Sequence, residues 1–125
     1  METIRSYTTI EQSRKLATIL PIESADMGWN VFVDNSTRCL PIDDWDLSKN
    51  GKGGAKFIPC WSVAALLSVL PTNLQIALAI NDFQGDRKEK YFIGSVEHDR
   101  YDCYADNPVD ACVAMIEKLH ELNLL

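Results

Sequence analysis

A chain of 125 residues is long enough for one domain with its own core, so it needs no disulfide framework or structural metal to hold it together. Hydrophobic residues make up 46% and charged residues 24%, ordinary for a globular protein, and the formal net charge of −6 argues against nucleic acid or an anionic membrane as partner. No apolar run approaches the ~18 residues that span a bilayer, and the opening METIRSYTTIEQSRK lacks the apolar segment of a secretory leader, so the reading is a cytoplasmic protein.

The first element in chain order is a helix from about residue 10 to residue 20. Thr8 or Thr9 can cap it, with Glu11 or Gln12 three positions on completing a capping box. Ile10, Leu16, Ala17 and Leu20 fall on one side at helical spacing, and Pro21 stops the run. Residues 29–33, WNVFV, read as a strand by content and alternation. Asp34, Asn35, Ser36 and Thr37 form a turn, because Asn and Asp tolerate left-handed backbone and bond locally. Residues 38–42 return as a second strand, with Pro41 confining it to a sheet edge or a strand end.

Residues 43–58 read as a long irregular connection, acidic at first and basic later. A connection of that length in a compact domain is usually functional or disordered. A buried helix follows, with Pro59 at its start and Pro71 beyond its end. Leu74, Ile76, Leu78 and Ile80 then alternate with polar or small residues, as in a strand with one apolar face. Residues 91–96 make a second strand and 100–104 a third. Their connections are too short for parallel crossovers, so the three form an antiparallel meander. Asn107 caps the last helix, Pro108 takes its first position, and Asp110 sits in the first turn, where the helix dipole favours an anion. Val109, Cys112, Val113, Ile116 and Leu119 form its apolar stripe.

The fold class expected is therefore α+β: an antiparallel sheet, hairpin plus meander, with three helices, one of them largely buried, in a single domain over 1–125.

Two segments, IPCWSVAALLSVLP and the C-terminal YADNPVDACVAMIEKLHELNLL, resemble an uncharacterised family of small proteins encoded in gut Bacteroidales genomes and their phages or mobile elements. The opening YTTIEQSRKLATILPIESADM resembles the start of the same family, and the three stretches cover about half the chain. The shared motifs are caps, prolines and core stripes. The resemblance implies a cytoplasmic, phage-linked protein and implies no catalytic residue.

Four cysteines, Cys39, Cys60, Cys103 and Cys112, lack the close pairing of zinc ligands and read as scattered reduced thiols. The stretch NGKGGAK, residues 50–56, has phosphate-loop composition. The hydroxyl that should follow the lysine is replaced by Gly53, and Asp46 stands where the first glycine belongs. It reads as a slack connection. Asp43, Asp44 and Asp46 lack the pattern of a calcium loop, and His98 has no local signature of a cysteine–histidine pair.

No catalytic constellation emerges, and no metal or cofactor is expected. The expected role is a non-enzymatic interaction module whose partner is another protein or a second copy. Trp45 is the proposed anchor, flanked by Asp43, Asp44, Asp46, Lys49 and Lys52, because an indole among acids in an irregular stretch calls for something to dock on. The alternative is a ligand-binding protein or enzyme with a pocket near residues 43–58.

Overall fold

The computed structural model describes residues 5–42, 56–81, 88–95 and 101–125. The chain falls into two compact units, Tyr7–Ala65 and a second made of Met1–Ser6 with Leu66–Leu125.

In the first unit, helix α1 (Ile10–Leu16) is capped by a reciprocal pair. Gln12 N–H donates to Thr9 Oγ1 at 3.1 Å, and Thr9 N–H donates to Gln12 Oε1 at 3.0 Å. The helix is shorter than its apolar pattern suggests. The chain leaves it after Leu16 in a looser turn and buries Leu20 before a short 3-10 turn at Ile22–Ser24. Strands β1 (Met27–Val31) and β2 (Thr37–Pro41) form the expected hairpin, with Trp29 opposite Cys39. Its turn places Asn35 at φ 68°, while Asp34 Oδ1 accepts from Ser36 N–H at 3.0 Å and from Ser36 Oγ at 2.6 Å. Those two bonds hold the Asp34 carboxyl below its ordinary value.

The sequence reading departs from the structure at residues 56–62. The expected loop end and helix start are instead strand β3 (Lys56–Cys60), antiparallel to β1. The sheet order is β2-β1-β3, so β3 is an edge, and an edge strand tolerates Pro59, which has no N–H to give a ladder. Helix α2 (Val63–Ser68) therefore begins later than its prolines imply. Ser62 starts it, accepting from Ala65 N–H at 3.2 Å, and Ser62 is itself held by the carboxylate of Asp26. Ala65 and Leu66 are buried on this helix, which begins in the first unit and runs past Ala65 into the second.

In the second unit, β4 (Ile76–Ile80), β5 (Tyr91–Ser95) and β6 (Cys103–Ala105) form the expected meander in the order β4-β5-β6. Gln75, at φ 51°, turns the chain from the 3-10 segment Thr72–Leu74 into β4. Ile76, Leu78 and Ile80 share a face with Tyr91, Ile93 and Ser95, and Ile93 is wholly buried there. Ala77, Ala79, Phe92 and Tyr104 occupy the other face, where the Phe92 and Tyr104 rings meet at 5.3 Å. Helix α3 (Pro108–Glu121) packs against this sheet. Asn107 Oδ1 accepts from Asp110 N–H at 2.9 Å, as the cap requires. The buried stripe is wider than expected, taking in Ala111 and Met115. Asn123, at φ 58°, closes the helix, and Leu124 N–H returns to the Leu119 carbonyl at 2.8 Å. The fold is thus α+β, with three α-helices and two three-stranded antiparallel sheets among the described residues.

Gly28 offers a direct check on the first sheet. A Cβ at this position would lie 2.1 Å from Cε2 of Phe57, so the ring occupies the space a side chain would fill. Gly28→Ala should lower stability by about 1–3 kcal/mol through overpacking. Adding Phe57→Leu should recover part of that loss, read from urea midpoints of the two single variants and the double. Additive single effects would show that the ring does not hold this position.

Candidate functional site

Trp45, Asp43, Asp44, Asp46, Lys49 and Lys52 all lie outside the described residues, as do His98 and NGKGGAK up to Ala55. Lys56 is described and opens β3. A cavity of about 260 Å³ lined by Val31, Phe32, Val33, Asn35 and Lys56 adjoins that stretch in sequence. A second cavity of about 420 Å³ lies in the other unit, beside Tyr101, Lys118, Leu122 and Leu124. Among the described residues neither lining holds a carboxylate, a histidine or a cysteine. Among the described residues no three His, Cys, Asp or Glu side chains cluster as metal ligands. His120 is exposed in the last turn of α3.

Two other features stand out, and the first is a sheet edge. Proteins blunt exposed strand edges with proline, charge or short length, because unpaired N–H and C=O groups recruit other strands. Three edges here carry such devices. β2 has Arg38 and Pro41, β3 has Lys56 and Pro59, and β6 is three residues long. The outer edge of β4, Ile-Ala-Leu-Ala-Ile, has none of them. Asn81 N–H donates inward to the Lys90 carbonyl at 2.7 Å. By antiparallel alternation Ala79 and Ala77 also bond toward β5, which leaves the peptide groups of Ile76, Leu78 and Ile80 pointing outward. Ile80 is 67% exposed.

The second feature is a thiol pair in the first unit. Cys39 and Cys60 are far apart in sequence and sit on strands either side of β1, yet their sulfurs are 3.4 Å apart. The register explains this. Cys39 faces Trp29 and Cys60 faces Met27, so both project on one face of the sheet and meet above the backbone of Gly28. Cys60 is wholly buried and Cys39 half-buried.

Thr8 supports the pair. Its hydroxyl lies 3.3 Å from Cys60 Sγ and 2.7 Å from Ser13 Oγ, and its carbonyl lies 3.4 Å from Cys60 Sγ. The hydrogen bond from Cys39, with those from Thr8 and Ser13, lowers Cys60 from the ordinary 9.0 to about 7. The same bond and burial push Cys39 up, with Asp26 adding a smaller push in the same direction. The pair gives up one proton readily and holds the other. Cys112, with burial alone acting on it, goes up to about 12. All four thiols are free, as expected, but Cys39 and Cys60 are not scattered, because sequence spacing carries no information about strands paired across a third.

No family model, curated protein or solved structure matches this chain.

One thiolate per chain should appear as the pH rises through about 7, well below the ordinary cysteine value. The sign follows from donors stabilising the anion. Thiolate ultraviolet absorbance measures it. Cys39→Ala removes the main donor and should move the midpoint upward, and Thr8→Val should move it less. A wild-type midpoint at or above the ordinary cysteine value would show that the pair shares no proton.

Proposed function

We propose that the protein is a non-enzymatic interaction module that associates with a second copy of itself through the outer edge of β4. What carries this reading is the contrast, among the described residues, between three sheet edges that carry such devices and one, apolar and uncharged, that carries none.

The sequence of β4 supports self-pairing in particular. Ile-Ala-Leu-Ala-Ile reads the same in both directions about Leu78. A two-fold axis at Leu78 sets the strand antiparallel to its own copy, with Leu78 facing Leu78 and Ile76 facing Ile80. In that register the outward peptide groups of Ile76, Leu78 and Ile80 all find partners. The apolar side chains continue across the new pair on the same face as Ile93, and alanines meet alanines on the other. A strand from an unrelated protein gains the same backbone bonds but not this match. Five residues of pairing cover less surface than a permanent dimer needs, so the association is weak and concentration-dependent.

Sedimentation equilibrium from about 1 µM to about 1 mM, which spans weak dimer constants, tests this. The expected result is a monomer–dimer equilibrium. Ile80→Lys is two-thirds exposed and should leave the fold intact while weakening the dimer roughly tenfold or more, a loss of about 1.4 kcal/mol. A wild-type chain that stays monomeric throughout, or an Ile80→Lys chain that dimerises unchanged, would overturn the proposal.

A further inference from the structure

The thiol pair supports a chemistry separate from the β4 edge, and it lies in the other unit. We propose that Cys39 and Cys60 form a reversible redox couple, in which a peroxide oxidises the half-buried Cys39 and Cys60 then closes a disulfide across β1.

Buried cysteine often packs as a small hydrophobe. Cys112 fits that description, since burial alone governs it. Cys60 does not. Its sulfur is ringed by the Cys39 thiol, the Thr8 hydroxyl and the Thr8 carbonyl, and the Ser13 hydroxyl backs Thr8 at 2.7 Å. Thr8 and Ser13 are themselves wholly buried. The Cys39 thiol and the Thr8 hydroxyl donate to the Cys60 sulfur and stabilise its anion, while the Thr8 carbonyl accepts from the neutral thiol; an anion is what attacks another sulfur. The two sulfurs also differ in access: Cys39 can meet a small oxidant, while Cys60 is shielded from it. That difference separates a first-oxidised sulfur from a resolving one.

The steps balance. Near neutral pH the pair has already given one proton to solvent. The remaining proton sits on Cys39, and the Cys60 thiolate takes it along their 3.4 Å contact only as the Cys39 sulfur attacks, so Cys60 acts as the base. The Cys39 sulfur attacks the peroxide; an S–O bond forms and the O–O bond breaks. The departing oxygen takes the proton from Cys60 and leaves as alcohol or water. Cys60, now a thiolate, attacks the Cys39 sulfur. The S–S bond forms, the S–O bond breaks, and hydroxide leaves to be protonated from solvent. Two thiols and one peroxide become one disulfide, one alcohol or water from the peroxide, and one water. Two electrons pass from the sulfurs to the peroxide.

The placement of the strands makes the couple reversible. β2 and β3 are second neighbours, about 9.5 Å apart in a flat sheet, and Cys39 and Cys60 face positions two residues apart on β1, which adds about 6.5 Å along the strand. A relaxed disulfide wants its Cα atoms within roughly 7 Å. Closing the bond therefore curls the sheet further over Gly28, and a strained disulfide is the more easily reduced.

The test treats the full chain with a small excess of hydrogen peroxide, blocks remaining thiols by alkylation, and maps peptides by mass spectrometry. The expected product has lost two hydrogens, joins the peptides of Cys39 and Cys60, and returns to the starting mass with dithiothreitol under native conditions. In Cys60→Ser the reaction should stop at a sulfenic acid on Cys39, captured by a dione probe. Cys39 and Cys60 both alkylated after peroxide would overturn the proposal, as would a cross-link to Cys103 or Cys112. A Cys39–Cys60 bond that resists dithiothreitol without denaturant would overturn its reversibility.

Discussion

Thr8 is the residue on which the first unit depends. It is wholly buried, so every polar atom it carries must be satisfied inside the protein. Its N–H donates to the Trp61 carbonyl at 3.0 Å, and its hydroxyl accepts from Trp61 N–H at 3.2 Å. Its carbonyl accepts from the Trp29 indole at 2.9 Å. One residue thus ties the start of α1 to β1 and to the end of β3. Trp61, buried and bonded to Ser24 Oγ at 2.9 Å, and Trp29, edge-on to Tyr7 at 5.7 Å, are positioned around it. A buried hydroxyl deprived of partners costs about 1–3 kcal/mol. The network is therefore specific in a way that apolar packing alone is not. The same hydroxyl reaches Cys60, so the structural latch and the thiol chemistry share an atom.

The two sheets treat their edges differently, and the difference has a physical cause. In the first, the prolines at Pro41 and Pro59 fall on the two outer strands, where a missing N–H faces away from the ladder. In the second, β6 is too short to recruit a partner, but β4 is neither short, charged nor interrupted. A bare edge that persists in a folded chain is a binding surface or a hazard. The palindromic order of β4 favours the former, because it suits one specific register with itself. In the proposed self-pairing its small extent would keep the contact weak and dependent on concentration.

Much of the fold is legible in the sequence. The final helix was readable from Asn107, Pro108, Asp110 and the Val109–Cys112–Ile116–Leu119 spacing, because caps and helical periodicity are local properties. The β4–β5–β6 order followed from short connections that admit only antiparallel pairing. The hairpin turn at Asn35 was likewise a local property. β3 reads from sequence as loop and helix start, because Pro59 signals a helix start in isolation and an edge strand once β1 is there to pair with. The functional expectation centred on Trp45, with Asp43, Asp44, Asp46, Lys49 and Lys52, falls outside the described residues. The bare edge of β4 was in principle readable, since its palindrome and lack of charge are printed in the sequence. What was missing was the knowledge that it ends a sheet.

The sequence by itself determined the class: an α+β chain with capped helices, a hairpin and a meander. Those features arise from interactions between residues close along the chain, where spacing alone fixes who meets whom. The tertiary structure alone decided which strands were edges, and it alone brought Cys39 to Cys60. Both depend on β3 taking its place beside β1, a pairing between segments that share no local signal. Whether a proline guards an edge, or a thiol is inert or poised, follows from that pairing and from the hydrogen bonds it places around each group.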